Sequence, residues 1–373
     1  MKALLTCLGI FTATLSTGAY AANSIGYDFR GDYNSTSYNE DAQLPGYQKF
    51  YLKTGRLYFK GALNERVNYE VRWGFYKPAI ESVNTTSGVP SNATRDNLNS
   101  SVEYANITDK MSDTFSLQLG KFSSDIGGLE GATSGADLYM VSPNYAHSAV
   151  TTLSVGKNLG FSQSGANNLL YVTGAKGDFA FSPEQHIYLV IANNVGDSVD
   201  AAGKFNQNRG LIGAIWKGSF MEKALSAIVS YHEVAPQGAS TDSGNKHSFY
   251  SAGLKYDDPQ WVGSLDYNTT DYKDGATSNK DTLWSTVAKF GWKMDAWTPR
   301  LEVFTSEEKI GITAPYDTNK YMGYGAVVEY KPSAENFRYH LAYNSITTKP
   351  QTGDERVKSE IVLGARLFGD FLK

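Results

Sequence analysis

Val67-Asn68-Tyr69-Glu70-Val71-Arg72-Trp73-Gly74-Phe75-Tyr76 decides the fold class. Val67, Tyr69, Val71, Trp73 and Phe75 alternate with Asn68, Glu70, Arg72 and Tyr76. In an extended chain, successive side chains point to opposite faces. One face of this segment is therefore apolar and aromatic, and the other carries charge. A period of two specifies a strand.

The same pattern repeats outward from this segment. Ile25, Tyr27, Phe29 and Tyr33 alternate with Gly26, Asp28, Arg30 and Asp32. Phe337, Tyr339, Leu341 and Tyr343 alternate with Arg338, His340 and Asn344. Ile361, Leu363, Ala365 and Leu367 alternate with Val362, Gly364 and Arg366, before a short tail from Phe368 that holds Phe371. A soluble sandwich also alternates, but its strands usually run about 5–6 residues. The runs here are about 9–12 residues, the length that crosses a bilayer at a tilt. Tyr256, Trp261, Trp292, Trp297, Tyr330 and Phe337 flank three short turns, as an interfacial aromatic girdle does.

Composition agrees with this reading. The chain holds 25 Tyr, 18 Phe and 36 Gly, with only 11 Pro. Its mean hydropathy is −0.37. A strand that shows lipid one residue in two keeps the average polar. The first 21 residues have the form of an export leader, with Lys2, an apolar core from Ala3 to Leu15, and Ala19-Tyr20-Ala21 as a small-x-small cleavage site. The domains expected are therefore a signal peptide at 1–21 and a barrel at 22–373. Cys7 lies within the leader and is the one cysteine, so disulfides, cysteine-metal sites and thiol catalysis are excluded after cleavage. The net charge is −4 with no basic stretch, so no nucleic-acid partner is expected.

Short turns alternate with long polar connections such as 78–97, 233–246, 269–280, 308–319 and 345–356. Short periplasmic turns and long external loops give this alternation, and both termini on one side require an even strand count. A first pass gives seventeen. Assigning Ala149–Val155 to the preceding loop gives sixteen and sets every long loop outside. The expected strands are 24–34, 49–63, 66–77, 98–107, 113–122, 167–180, 185–194, 209–218, 223–232, 247–256, 260–268, 281–293, 297–307, 320–331, 335–346 and 357–368. The reading is all-β: a sixteen-stranded antiparallel transmembrane barrel, with its third loop, 123–166, folded into the lumen.

Two stretches resemble the phosphate/polyphosphate-selective porin family. One is Phe50-Tyr51-Leu52-Lys53-Thr54-Gly55-Arg56-Leu57-Tyr58-Phe59-Lys60-Gly61, followed by Tyr69-Glu70-Val71-Arg72. The other is Leu117-Gln118-Leu119-Gly120-Lys121-Phe122, with Gly128-Leu129-Glu130 behind it. The resemblance implies a trimeric sixteen-stranded channel of the outer membrane with a taste for anions. Lys53 and Arg56 lie three apart, so a flat strand sets them on opposite faces. A bulge near Thr54-Gly55 brings both inward.

A barrel this wide has an aqueous lumen unless something folds into it. The third loop carries Asp125, Glu130 and Asp137. Lumen-side Arg72, Lys121, Arg338 and Arg366 are expected to face them. Acid on the loop opposite base on the wall tunes which solutes pass. The function expected is passive diffusion of ions and small polar solutes through a homotrimer set in outer-membrane lipid and lipopolysaccharide. The competing reading is a surface or adhesion protein whose sealed barrel anchors external loops. No enzyme and no cofactor are expected. His147, His186, His232, His247 and His340 show no metal-ligand spacing, and Ser248 beside His247 points to the opposite face of its strand.

Overall fold

The computed structural model describes residues 23–39, 46–76, 82–83, 90–91, 99–145, 169–193, 210–234, 246–273, 279–311, 317–332 and 336–372. The leader and the stretch Ala149–Val155 lie outside the described residues.

Sixteen antiparallel strands close into one barrel. They are β1 (Ser24–Tyr38), β2 (Tyr47–Ala62), β3 (Val67–Tyr76), β4 (Asn99–Lys110), β5 (Phe115–Ser123), β6 (Tyr171–Ser182), β7 (Gln185–Asn193) and β8 (Gly210–Phe220). The second half comprises β9 (Leu225–Val234), β10 (Lys246–Asp257), β11 (Trp261–Lys273), β12 (Lys280–Trp292), β13 (Trp297–Ile310), β14 (Asp317–Tyr330), β15 (Phe337–Lys349) and β16 (Arg356–Leu372). Each strand pairs with its sequence neighbours, and β1 pairs with β16 to close the ring. A two-residue pair, Ser82–Val83 with Pro90–Ser91, sits between β3 and β4.

The burial pattern is inverted relative to a water-soluble protein. Arg30 is 1% exposed and Asp28 3%, while Leu265, Leu341 and Leu363 are 53%, 50% and 55% exposed. In water, each half-bare leucine forfeits on the order of 1 kcal/mol. Against lipid that cost disappears, and the polar residues must turn to the lumen. The girdle forms on the outer wall at the short-turn end. Trp261 stacks on Trp292 at 5.5 Å, and Trp297 on Tyr330 at 4.3 Å.

Several strand ends differ from the sequence reading, and two show the physical reason. Thr269–Lys273 continues as strand, paired with Lys280–Trp284, where a loop was expected. Above the apolar band the ladder persists while the lipid-facing signal fades. The last strand runs through Leu372 rather than leaving a tail from Phe368, because Phe371 packs on Tyr27 with ring centroids 4.2 Å apart.

Candidate functional site

The third loop leaves β5 and enters the lumen. Asp125 and Gly127 take left-handed backbone angles of 57° and 88° to make the turn. At the root, Ile126 packs into an inward-facing apolar patch with Phe122, Val172, Val190, Leu211 and Ile228. Asp125 accepts from Lys176 at 2.8 Å and Lys217 at 2.9 Å. Burial alone drives a carboxyl up. The two ammonium groups outweigh it and hold Asp125 well below the ordinary carboxylate range. His232 Nε2 lies 2.8 Å from the Ser124 carbonyl. A carbonyl only accepts, so Nε2 carries the proton.

A short helix follows, α1 (Gly128–Ala132), whose N-cap residue, Gly127, has no side chain to cap it. The barrel supplies one: Asp266 on β11 accepts from Glu130 N at 2.9 Å. Two glycines make room for this contact. A Cβ at Gly128 would fall 2.5 Å from Asp266 Oδ1, and one at Gly253 2.6 Å from the same atom. Gly128 also sits at φ 61°, where a side chain is strained.

The loop then crosses to the opposite wall. Arg56 donates to Ser134 Oγ at 2.9 Å on the way. The tip meets three arginines standing in one cross-strand row: Arg338 opposite Arg366, and Arg366 opposite Arg30. Like charges placed opposite repel, so such a row needs acids. Asp28 takes Arg366 in a fork at 2.7 and 2.9 Å, and Asp32 takes Arg30 at 3.0 and 3.1 Å. Asp137 at the tip binds both Arg338 and Arg366, the latter at 2.6 Å. Arg30 donates to the Ala136 carbonyl at 2.8 Å. Burial pushes the Asp137 carboxyl up, but Arg338 and Arg366 hold it below its ordinary value.

The return path is also tied down. Tyr139 donates to Glu329 at 3.0 Å, and Asn144 Nδ2 donates to the Leu283 carbonyl at 2.8 Å. Glu130 accepts from Ser142 N at 3.0 Å and Oγ at 2.5 Å, so the loop closes on itself. Burial raises the Glu130 carboxyl above its ordinary value, and the charge of Lys289 and the Ser142 hydrogen bonds oppose this without cancelling it.

The expected site residues divide between expected and unexpected partners. Asp137 touches Arg338 and Arg366, two of the four cations expected to face the loop acids. Arg72 was expected to face the loop acids. It pairs instead with Glu103 at 2.6 Å, as does Arg56 at 2.8 Å, while Glu70 goes to Lys60 at 3.1 Å. Lys53 is exposed, at a register shift where Arg30 faces Thr54 and Gly31 faces Leu52. Lys121 departs from the lumen wall. It stands opposite exposed Ala105 and Thr173, in the outward row with Leu119. Phe122 has taken the inward position, because Ile126 packs there. Sequence reasoning put Arg30, Asp28 and Asp32 on the charged face but gave them no role. It missed Lys176, Lys217 and Asp266 because their partners arrive from a distant loop.

No protein family's model matches the chain, and no curated protein matches it. Solved structures do. OmpT of Vibrio cholerae, expressed in the outer membrane, is 9% identical over 95% of this chain and 99% of that chain, with a TM-score of 0.60. The loop L8 deletion mutant of OmpT, an outer membrane protein of Vibrio cholerae, is 11% identical over 93% of this chain and 100% of that chain, with a TM-score of 0.58. The trimer form of in-vitro folded OmpT from Vibrio cholerae is 10% identical over 93% of this chain and 100% of that chain, at 0.57. The fold is thus that of a multi-pass outer-membrane β-barrel, sixteen strands closed around a polar interior.

Proposed function

We propose that this protein is an outer-membrane porin: a water-filled channel for passive diffusion of ions and small hydrophilic solutes, constricted by its third loop. The observation that carries this reading is the crossing. A loop with its own polar surface is held at the β6–β8 wall by Asp125 and at the β15–β16 wall by Asp137, which narrows a charged lumen. Residues 1–21 serve as its export leader. It works as a homotrimer in lipid and lipopolysaccharide; the trimer form of OmpT, a protein of the same fold, supports this.

A preference for anions, phosphate among them, is the narrower reading that the family resemblance implies. Exposed Lys53 supports it, whereas Arg56 and Arg72 share Glu103 and are largely neutralised. The second reading, a sealed barrel anchoring external loops, draws on one observation. The loop acids Asp125, Glu130 and Asp137 all have donors, as in a fixed plug. Swelling of proteoliposomes in sugars of increasing size separates the two. The porin reading expects swelling that falls off with sugar size. Absence of swelling for every sugar, with correctly folded protein in the vesicles, supports the plug.

A further inference from the structure

On the outer wall, at the long-loop end, β10 begins at Lys246, β11 ends at Lys273 and β12 begins at Lys280. The register sets the three side by side: Lys246 faces Lys273, and Lys273 faces Lys280. All three are exposed, and alternation puts them on the lipid-facing side with Tyr250, Leu265 and Phe290. Lys309, Lys320 and Lys349 continue the belt on β13 to β15. The outward positions at the same end of β4 to β8 hold one lysine, Lys121, among the described residues.

Like charges directly opposite one another repel, and the acids of this face do not balance the lysines. Lys246 pairs with Glu233 at 3.2 Å and Lys280 with Asp271 at 2.7 Å, while Lys309 and Lys320 share Glu307 at 2.8 and 3.9 Å. Among the described residues, Lys273 and Lys349 have no carboxylate within ion-pair distance. Lys273 therefore stands between two lysines with no acid of its own. The wall beneath it has the profile of a lipid. Four residues nearer the membrane centre on the same three strands stand Tyr250, Thr269 and Trp284, in register with one another. A further four residues on stand Leu254, Leu265 and Ala288, again in register. Four residues of strand span about 13 Å. Tyr and Trp belong at headgroup level, and leucine against the acyl chains.

We infer that the row of Lys246, Lys273 and Lys280 binds the phosphates of a phosphorylated outer-leaflet lipid, whose acyl chains lie on Leu254 and Leu265 below. Charge complementarity selects the headgroup, since clustered lysines at a membrane surface attract anionic lipids. The chains select a lipid over a free anion. The inference rests on the membrane setting proposed above and is independent of conduction.

The test is native mass spectrometry of the refolded full chain in non-ionic detergent, titrated with diphosphoryl lipid A. Phosphatidylcholine and inorganic phosphate serve as comparators: one has chains without net charge, the other charge without chains. The inference expects saturable binding of lipid A, at least tenfold weaker binding of phosphatidylcholine, and no displacement of lipid A by inorganic phosphate at equal concentration. The double variant Lys273→Gln with Lys280→Gln should weaken lipid A binding by about tenfold or more. Lys121→Gln, outside the belt, should bind like wild type. Folding of each variant is checked by the heat-dependent gel shift, and all three lysines are exposed on the outer wall, so their loss leaves the barrel intact. Absence of saturable lipid A binding, phosphatidylcholine binding as tightly, displacement by phosphate, or the double variant binding like wild type would each overturn it. So would Lys121→Gln losing as much as the double variant. Ion current through a bilayer free of lipid A reports on the channel reading separately.

Discussion

Arg338 and Arg366 stand directly opposite one another across the β15–β16 pair, and both reach a single carboxylate, Asp137, at the tip of the loop that crosses the lumen. Two guanidinium groups in register repel unless an acid sits between them. The loop supplies that acid. The crossing is therefore held by the electrostatics of the wall as well as by packing.

Removing the anchor should free the tip. Asp137→Asn keeps the shape and discards the charge that two arginines share. About 1.5–3 kcal/mol of loop anchoring is expected to go, the range for hydrogen bonds to charged groups. Limited proteolysis should then cut the third loop faster while the barrel stays intact. Cleavage at the wild-type rate contradicts this role.

The acids of the loop should respond to pH in opposite directions. Asp125 and Asp137 are held below their ordinary values, so their stabilisation is complete above the unfolded value and is lost as pH falls through the lowered folded one. The anchors should persist in mild acid and release in strong acid. Glu130 is raised, so the native state holds its proton longer than the unfolded one, and stability falls as pH rises through the folded value. Glu130→Gln should flatten that second slope in thermal unfolding. An unchanged slope assigns the dependence to another group.

The seat of α1 is a steric prediction. Gly253→Val places a side chain where Asp266 Oδ1 and Leu129 already lie, since a Cβ alone would approach them to 2.6 and 2.7 Å. Overpacking of this kind costs about 1–3 kcal/mol. Helix seating should be lost, seen as faster hydrogen exchange at Leu129–Ala132, with β10 and β11 unchanged. Retained protection contradicts the seating.

Lys53 and Lys121 differ in what they face. Lys53→Gln should move the reversal potential toward cations, because its charge is exposed at the bulge beside Arg30 and Thr54. Lys121→Gln should leave it within error, because Lys121 lies in the outward row. The opposite ranking contradicts these placements.

The barrel was legible because alternation is a local property. Each of the sixteen strands could be read from its own residues, and parity decided the count. Strand ends such as Thr269–Lys273 were not, because the lipid-facing signal stops where the bilayer does while the ladder continues. The charged faces were equally visible, and Arg338 and Arg366 were read as lumen residues. Their partners were not visible. Asp137 lies 201 residues from Arg338 and 229 from Arg366, and no periodicity reports such a distance. Bulges were the other blind spot. The extra residue Glu103, where Arg72 faces Tyr104 and Trp73 faces Val102, redirects a carboxylate to Arg56 and Arg72.

On this reading the protein is a conducting lumen narrowed by an anchored loop. Single-channel recording of the refolded protein in a planar bilayer, alongside Asp137→Asn, tests it most directly. Stepwise openings are expected for the wild type, and larger or noisier openings for the variant. A silent membrane, with folding confirmed by the heat-dependent gel shift, would contradict it.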